Sequence, residues 1–180
     1  MTSTTRLSDL TGDYVLDTAR SRIGFIARHT IGTTVDGQAA NFAGSARLDG
    51  DNPSRSSAAL TVEVGSIQTG NPRRDAPLRG KFLDAGNHPS ITFTSTAVEQ
   101  IDETTFRVAG GLNLRGVTRP VNLNVRLTGV ETDQVGELRV RFAGGATINR
   151  KDWGVHWNAA IGVVSKTVAL YFDVVVFRRS

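Results

Sequence analysis

The chain has 180 residues, a length typical of a single domain with a sizeable core. Hydrophobic residues make up 39% of it and charged residues 21%; cysteine is absent, which excludes disulfides, thiol nucleophiles and cysteine-ligated metals. The net charge of +4 comes from scattered basic residues. Because there is no run of five or six like charges with interleaved aromatics, we expect no nucleic-acid partner.

The N-terminal residues are polar and contain no apolar run that could form the core of a signal peptide. We therefore expect a flexible segment over residues 1–12 and one domain over 13–180. No stretch approaches the roughly 20 apolar residues of a membrane helix, so stable membrane insertion is not expected. These features favour a cytoplasmic protein, whereas removal of a leader would make it periplasmic or secreted.

Alternation of apolar and polar residues with a period of two predicts short antiparallel strands along most of the chain. The alternating segments, in chain order, are 23–29, 60–64, 91–93, 106–108, 112–114, 121–128 and 138–142. The last segment, 168–177, is apolar on both faces except at Asp173, as in a strand covered on both sides. Gly, Asn and Asp clusters separate these segments, which favours an antiparallel sandwich or barrel without deciding between them.

The segment 71–84 interrupts this alternation and predicts a short helix. Leu78 and Phe82 are four residues apart and would share one side of it, facing the interior. Pro77 is tolerated only in a first helical turn, so we place Asp75 at the N-cap. The helix should lie across one end or side of the sheet structure.

Two later segments combine turn signals with strand ends. The first is Arg115-Gly116-Val117-Thr118-Arg119-Pro120, and the second is Ile148-Asn149-Arg150-Lys151-Asp152-Trp153-Gly154. Together with Arg74-Asp75 followed by Leu78 and Phe82, they resemble the YceI-like family. Each motif is weak alone, but their order and spacing are fairly specific, and the resemblance extends from about Tyr14 to Phe177.

The resemblance implies a mainly β fold, an extended antiparallel lipocalin-like barrel of about eight strands with a short helix after the third or fourth strand. It also implies binding, storage or transport of a long-chain amphiphile, meaning a polyisoprenoid, an isoprenoid quinone, or a fatty acid or amide, and no enzymatic activity. The alternatives are an enzyme acting on an isoprenoid-like amphiphile and a stress-related interaction module with a filled barrel. Formation of a homodimer is left open.

The residues themselves allow either a cavity or an ordinary packed core. Small residues such as Ala27, Ala39, Gly110 and Ala143 occur at alternating positions, where they would leave space inside a barrel. With the resemblance added, the cavity is favoured. The candidate ligand-binding residues are Phe25, Ala27, His29, Phe42, Arg74, Leu78, Phe82, Phe93, Trp153 and Trp157.

The polar candidates each have a structural alternative. Arg74 would meet an anionic headgroup at the barrel mouth, or form an ion pair with a carboxylate. His29 would contact the ligand, or bond to backbone at the end of a strand. Trp153 would line the ligand, or plug one end of the barrel. No histidine pair has ligand spacing and no catalytic motif is present, so we predict no metal, cofactor or catalytic residue.

Overall fold

The structure, a computed structural model, describes residues 6–29, 32–155 and 164–179; for His29 and Val164 it describes the backbone alone. The described residues are mainly β. The strands are β1 Gly12–Leu16, β2 Arg22–His29, β3 Thr34–Ala39, β4 Phe42–Leu48, β5 Ser57–Glu63, β6 Ile67–Gln68, β7 Ser90–Gln100, β8 Thr105–Leu114, β9 Val117–Thr132, β10 Leu138–Asn149 and β11 Val164–Arg178. The helix α1 spans Pro72–Pro77 and continues into a π-helical turn over Leu78–Phe82.

The strands form a closed antiparallel barrel in which neighbours in space are neighbours in sequence. The short early strands join in pairs, β1 with β2, β3 with β4 and β5 with β6, so that the barrel has eight continuous strands. The first of these closes the barrel against β11, where Leu16 faces Val176 and Phe25 faces Leu170. Helix α1 follows the third continuous strand, as the sequence predicts.

Alternation along the strands separates the interior from the surface. In β9, Val121 is buried and Leu123 half-buried, whereas Asn122 and Asn124 are exposed. Register shifts occur between Ser95 and Ala97 and between Arg141 and Phe142. Such bulges bend and twist a sheet, which helps it to close on itself.

Among the described residues, two buried apolar clusters lie towards the two ends of the barrel. One contains the described residues packed beneath α1, including Ala27, Val64, Leu78, Phe82 and Trp153. The other lies at the end where the chain begins, and its buried members are Leu10, Tyr14, Leu16, Val140 and Val176.

The N-cap of α1 is Asn71, not Asp75, so that prediction is wrong. The Asn71 side chain accepts a hydrogen bond from the Arg73 amide at 3.1 Å, and Pro72 occupies the first turn, where its missing amide is harmless. Asp75 is instead buried and accepts bonds from the Thr69 amide at 2.9 Å and the Thr69 hydroxyl at 2.5 Å. The expected burial of Leu78 and Phe82 is confirmed.

Residues 6–12, part of the segment expected to be flexible, make specific contacts with the barrel. Residues Leu7–Leu10 form a 3-10 turn, Leu10 is buried, and the Tyr14 hydroxyl donates to the Leu10 carbonyl at 2.8 Å. The Gly50 amide donates to the Thr11 hydroxyl at 2.9 Å and ties this turn to the β4–β5 connection. No helix among the described residues is long and apolar enough to cross a membrane.

Candidate functional site

A cavity of about 340 Å³ lies inside the barrel. Inward-facing residues of nearly every strand line it, and almost all of them are apolar. The lining includes Ile23, Phe25, Leu60, Val62, Ile67, Ile91, Phe93, Val108, Leu112, Val121, Leu123, Val125, Leu127, Phe142, Leu170, Phe172 and Val174. This composition follows from the alternation, since one side of each strand carries the apolar residues.

Phenyl rings lie against the barrel wall over glycines, and this arrangement keeps the lumen open. A Cβ atom added to Gly37 would overlap the Phe25 ring, and one added to Gly110 would meet the Phe93 ring at 2.5 Å. The Phe172 ring also lies near Gly144, 3.2 Å from where a Cβ would be, although the Asn124 carbonyl is closer still. Each ring occupies space that a side chain on the facing strand would otherwise take, so the bulk of the aromatic residues is held at the wall.

The cavity has a polar mouth and an apolar floor. The polar lining residues Asp49, Ser56 and Ser57 all lie where β4 connects to β5, which indicates that the mouth is at this end. Leu7, from the N-terminal turn, lines the same end. At the opposite end the lining stops at buried residues that include Leu112.

Trp153 plugs the barrel beyond the floor. It is 3% exposed, and its indole Nε1–H donates to the Leu112 carbonyl at 2.9 Å. The 3-10 turn Arg150–Trp153 begins at Asn149, whose side chain accepts from the Lys151 amide, and ends at Gly154 in the left-handed conformation. This geometry agrees with the interpretation of the motif as a corner whose indole fills one end.

Charge is nearly absent from the cavity lining. Asp49 is the one charged side chain in the described lining, and its Oδ1 accepts bonds from the Asp51 amide at 3.1 Å and the Asn52 amide at 2.9 Å. The carboxylate is therefore engaged in its own turn. Within residues 6–29, 32–155 and 164–179, no group of three or more His, Asp or Glu is placed to hold a metal ion.

Burial changes the acidity of both tyrosines. It raises the pKa of Tyr14, which packs at the mouth end, and the positive charge of Arg178 only partly opposes this effect. Burial and then the hydrogen bond to Asp36 raise the pKa of Tyr171, whose hydroxyl donates to the Asp36 carboxylate at 2.8 Å. Both hydroxyls therefore stay protonated at neutral pH.

Comparison with known proteins identifies the family. The model of the YceI-like domain matches residues 14–176, nearly the whole chain. The chain belongs to the YceI-like family. Its relatives include a UPF0312 protein of Pseudomonas paraeruginosa, 33% identical over 168 residues, which are 92% of this chain and 86% of the relative. Another UPF0312 protein, from Yersinia enterocolitica, is 35% identical over 153 residues, 84% of this chain and 78% of the relative.

Solved structures resemble this YceI-like barrel at lower identity and establish the fold. BcnA of Burkholderia cenocepacia superposes with a TM-score of 0.80 at 22% identity, covering 89% of this chain and 98% of BcnA. A polyisoprenoid binding domain from Saccharophagus degradans gives a TM-score of 0.69 at 19% identity, covering 92% of this chain and 98% of that domain. The barrel expected from the sequence is confirmed.

Apart from Arg74, the sequence-predicted site residues of this YceI-like chain fall into three groups. Phe25 and Phe93 line the cavity. Five others are packed in or against the apolar clusters and do not line the cavity: Ala27, Phe42, Leu78, Phe82 and Trp153. Trp157 and the side chain of His29 lie outside the described residues. A role for any of these residues in ligand contact stays a prediction.

Arg74 does not lie at the cavity mouth, so the expectation that it meets a headgroup there needs correction. Its Nε donates to the Thr69 hydroxyl at 2.8 Å and its Nη2 to the Thr69 carbonyl at 3.2 Å. These bonds tie α1 to the chain just after β6, at the floor end of the barrel. The guanidinium helps to hold the helix, and no carboxylate partner of the kind considered in the alternative is found for it among the described residues.

Most of the lining residues are absent from the candidates predicted from the sequence. Several of these residues occupy alternating positions in segments predicted as strands: Leu60, Val108, Leu123 and Phe142. The signal that could have identified them was their place on the apolar, inward face of the alternation. Leu7 carried no such signal, because it lies outside any strand and reaches the mouth only through the contact of its turn with Gly50.

Proposed function

We propose that this YceI-like protein binds the hydrocarbon tail of a long-chain amphiphile inside the barrel. The observation that carries the proposal is a cavity walled by apolar side chains from nearly every strand, with its phenyl rings held at the wall. The ligand class is a polyisoprenoid, an isoprenoid quinone, or a fatty acid or amide. The structural neighbour from Saccharophagus degradans, a polyisoprenoid binding domain, supports this class.

The physical basis of binding is removal of the tail from water. The cavity volume of about 340 Å³ falls at the lower end of the range of small-molecule sites, roughly 300–1,000 Å³. Each methylene buried in such a lining contributes about 0.8 kcal/mol. A charged group placed among these residues would lose hydration without compensation, so the polar headgroup belongs at the mouth near Ser56 and Ser57.

Reversible binding is favoured over catalysis. In the described lining, Asp49 and Tyr171 are the titratable residues, and both are engaged in hydrogen bonds within the protein. General acid–base chemistry needs a titratable group within hydrogen-bond reach of the reacting atoms. A carrier or storage role requires only the apolar lining, and a filled barrel serving as an interaction module is disfavoured by the cavity.

Extraction and titration test the proposal. Organic extraction of the purified protein with mass spectrometry should recover an amphiphile in near-equimolar amount. The stripped protein should then bind a polyprenol, a quinone or a fatty acid. Ala46→Phe, which adds a ring at an inward lining position, should weaken binding at least about tenfold, the equivalent of 1.4 kcal/mol.

The matched control is Ala43→Phe on the same strand, where the side chain is exposed and absent from the lining. It should bind like the wild type. If the stripped protein binds none of these amphiphiles, or if both variants lose affinity equally, the barrel interior is not the binding site.

A further inference from the structure

We infer that the cavity floor at Leu112, backed by Trp153, sets the longest hydrocarbon tail that the barrel accepts. This inference rests on the proposed function and assigns to it the residues that determine specificity for chain length. It predicts that affinity depends on tail length up to a limit fixed by the protein, beyond which the added carbons remain outside.

The barrel is filled beyond the floor. The lining ends at buried residues, Ile67, Leu112 and Val121. Past them lie Trp153, Leu78 and Phe82, which are 3%, 2% and 4% exposed and belong to one packed cluster. None of these three lines the cavity, so a tail that reaches Leu112 has no continuing space.

The floor is held in place from several directions. Leu112 lies in β8 between two paired strands, opposite Phe93 on β7 and Arg119 on β9. Its carbonyl accepts the Trp153 indole N–H at 2.9 Å. Displacing Trp153 to admit a longer tail would break this bond in a buried setting and open the cluster, which proteins resist because interiors are closely packed.

The mouth, unlike the floor, is open to water and does not stop a long tail. It is framed by the short turns Leu7–Leu10 and Pro53–Arg55 and carries the polar lining residues Asp49, Ser56 and Ser57. A tail longer than the cavity therefore projects at the mouth into water. Affinity should rise about fourfold with each methylene that is buried, and then stop rising at the length where the tail reaches Leu112.

The experiment is a titration of the stripped protein with saturated fatty acids of increasing length, read by displacement of 1-anilinonaphthalene-8-sulfonate. The wild type should show a break in the plot of affinity against length. In Leu112→Ala the break should move to longer chains. This variant should bind the acid that is one methylene longer than the wild-type break about fourfold more tightly than it binds the acid at that break. In Leu112→Phe the break should move to shorter chains.

Leu127→Ala is the matched control, because Leu127 also lines the cavity but lies towards the mouth on β9. Its affinities should fall without moving the break. Leu112→Val, a smaller truncation, replaces Leu112→Ala if that variant does not fold. A break at the same length in the wild type and all folded Leu112 variants overturns the inference. If no acid of any length binds the wild type or the control, the proposed function itself fails, and the inference with it.

Discussion

Tyr14 is the largest fully buried side chain at the mouth end of the barrel, and it joins three parts of the chain. It is 1% exposed, its hydroxyl donates to the Leu10 carbonyl at 2.8 Å, and its backbone pairs with Arg178 on β11 and Ala46 on β4. The same residue therefore anchors the N-terminal turn and closes the barrel.

The raised pKa of Tyr14 predicts a loss of stability at alkaline pH. Between the pKa of an unfolded tyrosine, about 10, and the higher pKa in the folded state, the unfolded chain binds fewer protons than the native one. The contribution of Tyr14 to the free energy of unfolding should therefore fall as the pH rises above about 10, and be constant below it. Tyr171, whose pKa is also raised, contributes in the same direction.

Urea unfolding of the wild type and Tyr14→Phe between pH 8 and 11 measures this effect. The variant should be less stable by about 1 kcal/mol at pH 8, because the Leu10 carbonyl loses its partner, and should lose less stability above pH 10. An identical pH dependence in the two proteins would show that Tyr14 titrates normally.

At the scale of single elements, β11 shows why a strand can be apolar on both faces in this barrel. Its outer residue Val175 is buried, and Ser21 covers this part of the strand, exchanging hydrogen bonds with the Val175 backbone. Arg139 stacks over the outer Phe177 ring at 5.9 Å from its centroid. The sequence prediction of a strand covered on both sides is thus explained by local cover, not by a second sheet.

The pairing of glycine with phenylalanine across strands gives a prediction for β2 and β3. Gly37→Ala should reduce the free energy of unfolding by about 1–3 kcal/mol, because the new methyl group overlaps the Phe25 ring and forces it into the lumen. Gly65→Ala is the control, because the added Cβ would have no atom within 4 Å other than those of Gly65 and its chain neighbours, and it should be neutral or slightly stabilising.

A double-mutant cycle with Phe25→Leu identifies the cause of the loss. If the overlap with the ring is responsible, Phe25→Leu should cost less in the Gly37→Ala background than in the wild type. Strictly additive losses in urea denaturation would mean that Gly37 is required for another reason.

For the whole molecule, the cavity separates two apolar clusters that together make the core, so ligand binding and stability should be linked. A fatty acid at about 100 times its Kd should add about 2.7 kcal/mol to the free energy of unfolding. For a protein of this size that corresponds to a rise in Tm on the order of 5–10 °C. Differential scanning calorimetry with and without the fatty acid measures the rise.

Two phenylalanine substitutions in β4, Ala43→Phe and Ala46→Phe, make this measurement specific. Ala43→Phe should show the wild-type rise in Tm, whereas Ala46→Phe should show a clearly smaller one, because its ring occupies the cavity. Equal rises in all three proteins would place the stabilising fatty acid at another site.

The sequence by itself indicated the strands β2, β5 and β7 to β11, with their inward faces, and the short helix, whereas β1, β3, β4 and β6 carried no alternation that predicted them. Alternation with a period of two is a local property, since successive side chains of a strand point to opposite faces whatever the strand pairs with. That is why Phe25 and Phe93 were correctly placed inside, and why Leu78 and Phe82 were correctly expected to be buried. The motifs around Arg115 and Trp153, together with Arg74-Asp75 followed by Leu78 and Phe82, carried the resemblance to the family that the family model confirms.

Only the tertiary structure decided which end of the barrel opens and which residues line it. Closure joins Tyr14 to Arg178, and the floor joins Leu112 to Trp153, contacts between distant parts of the chain that no local pattern encodes. Arg74 was expected at the mouth but lies at the floor end, because Thr69 holds it there. The physical reason is that periodicity specifies the face of each strand, whereas the mouth and the floor depend on which turns meet after the barrel has closed.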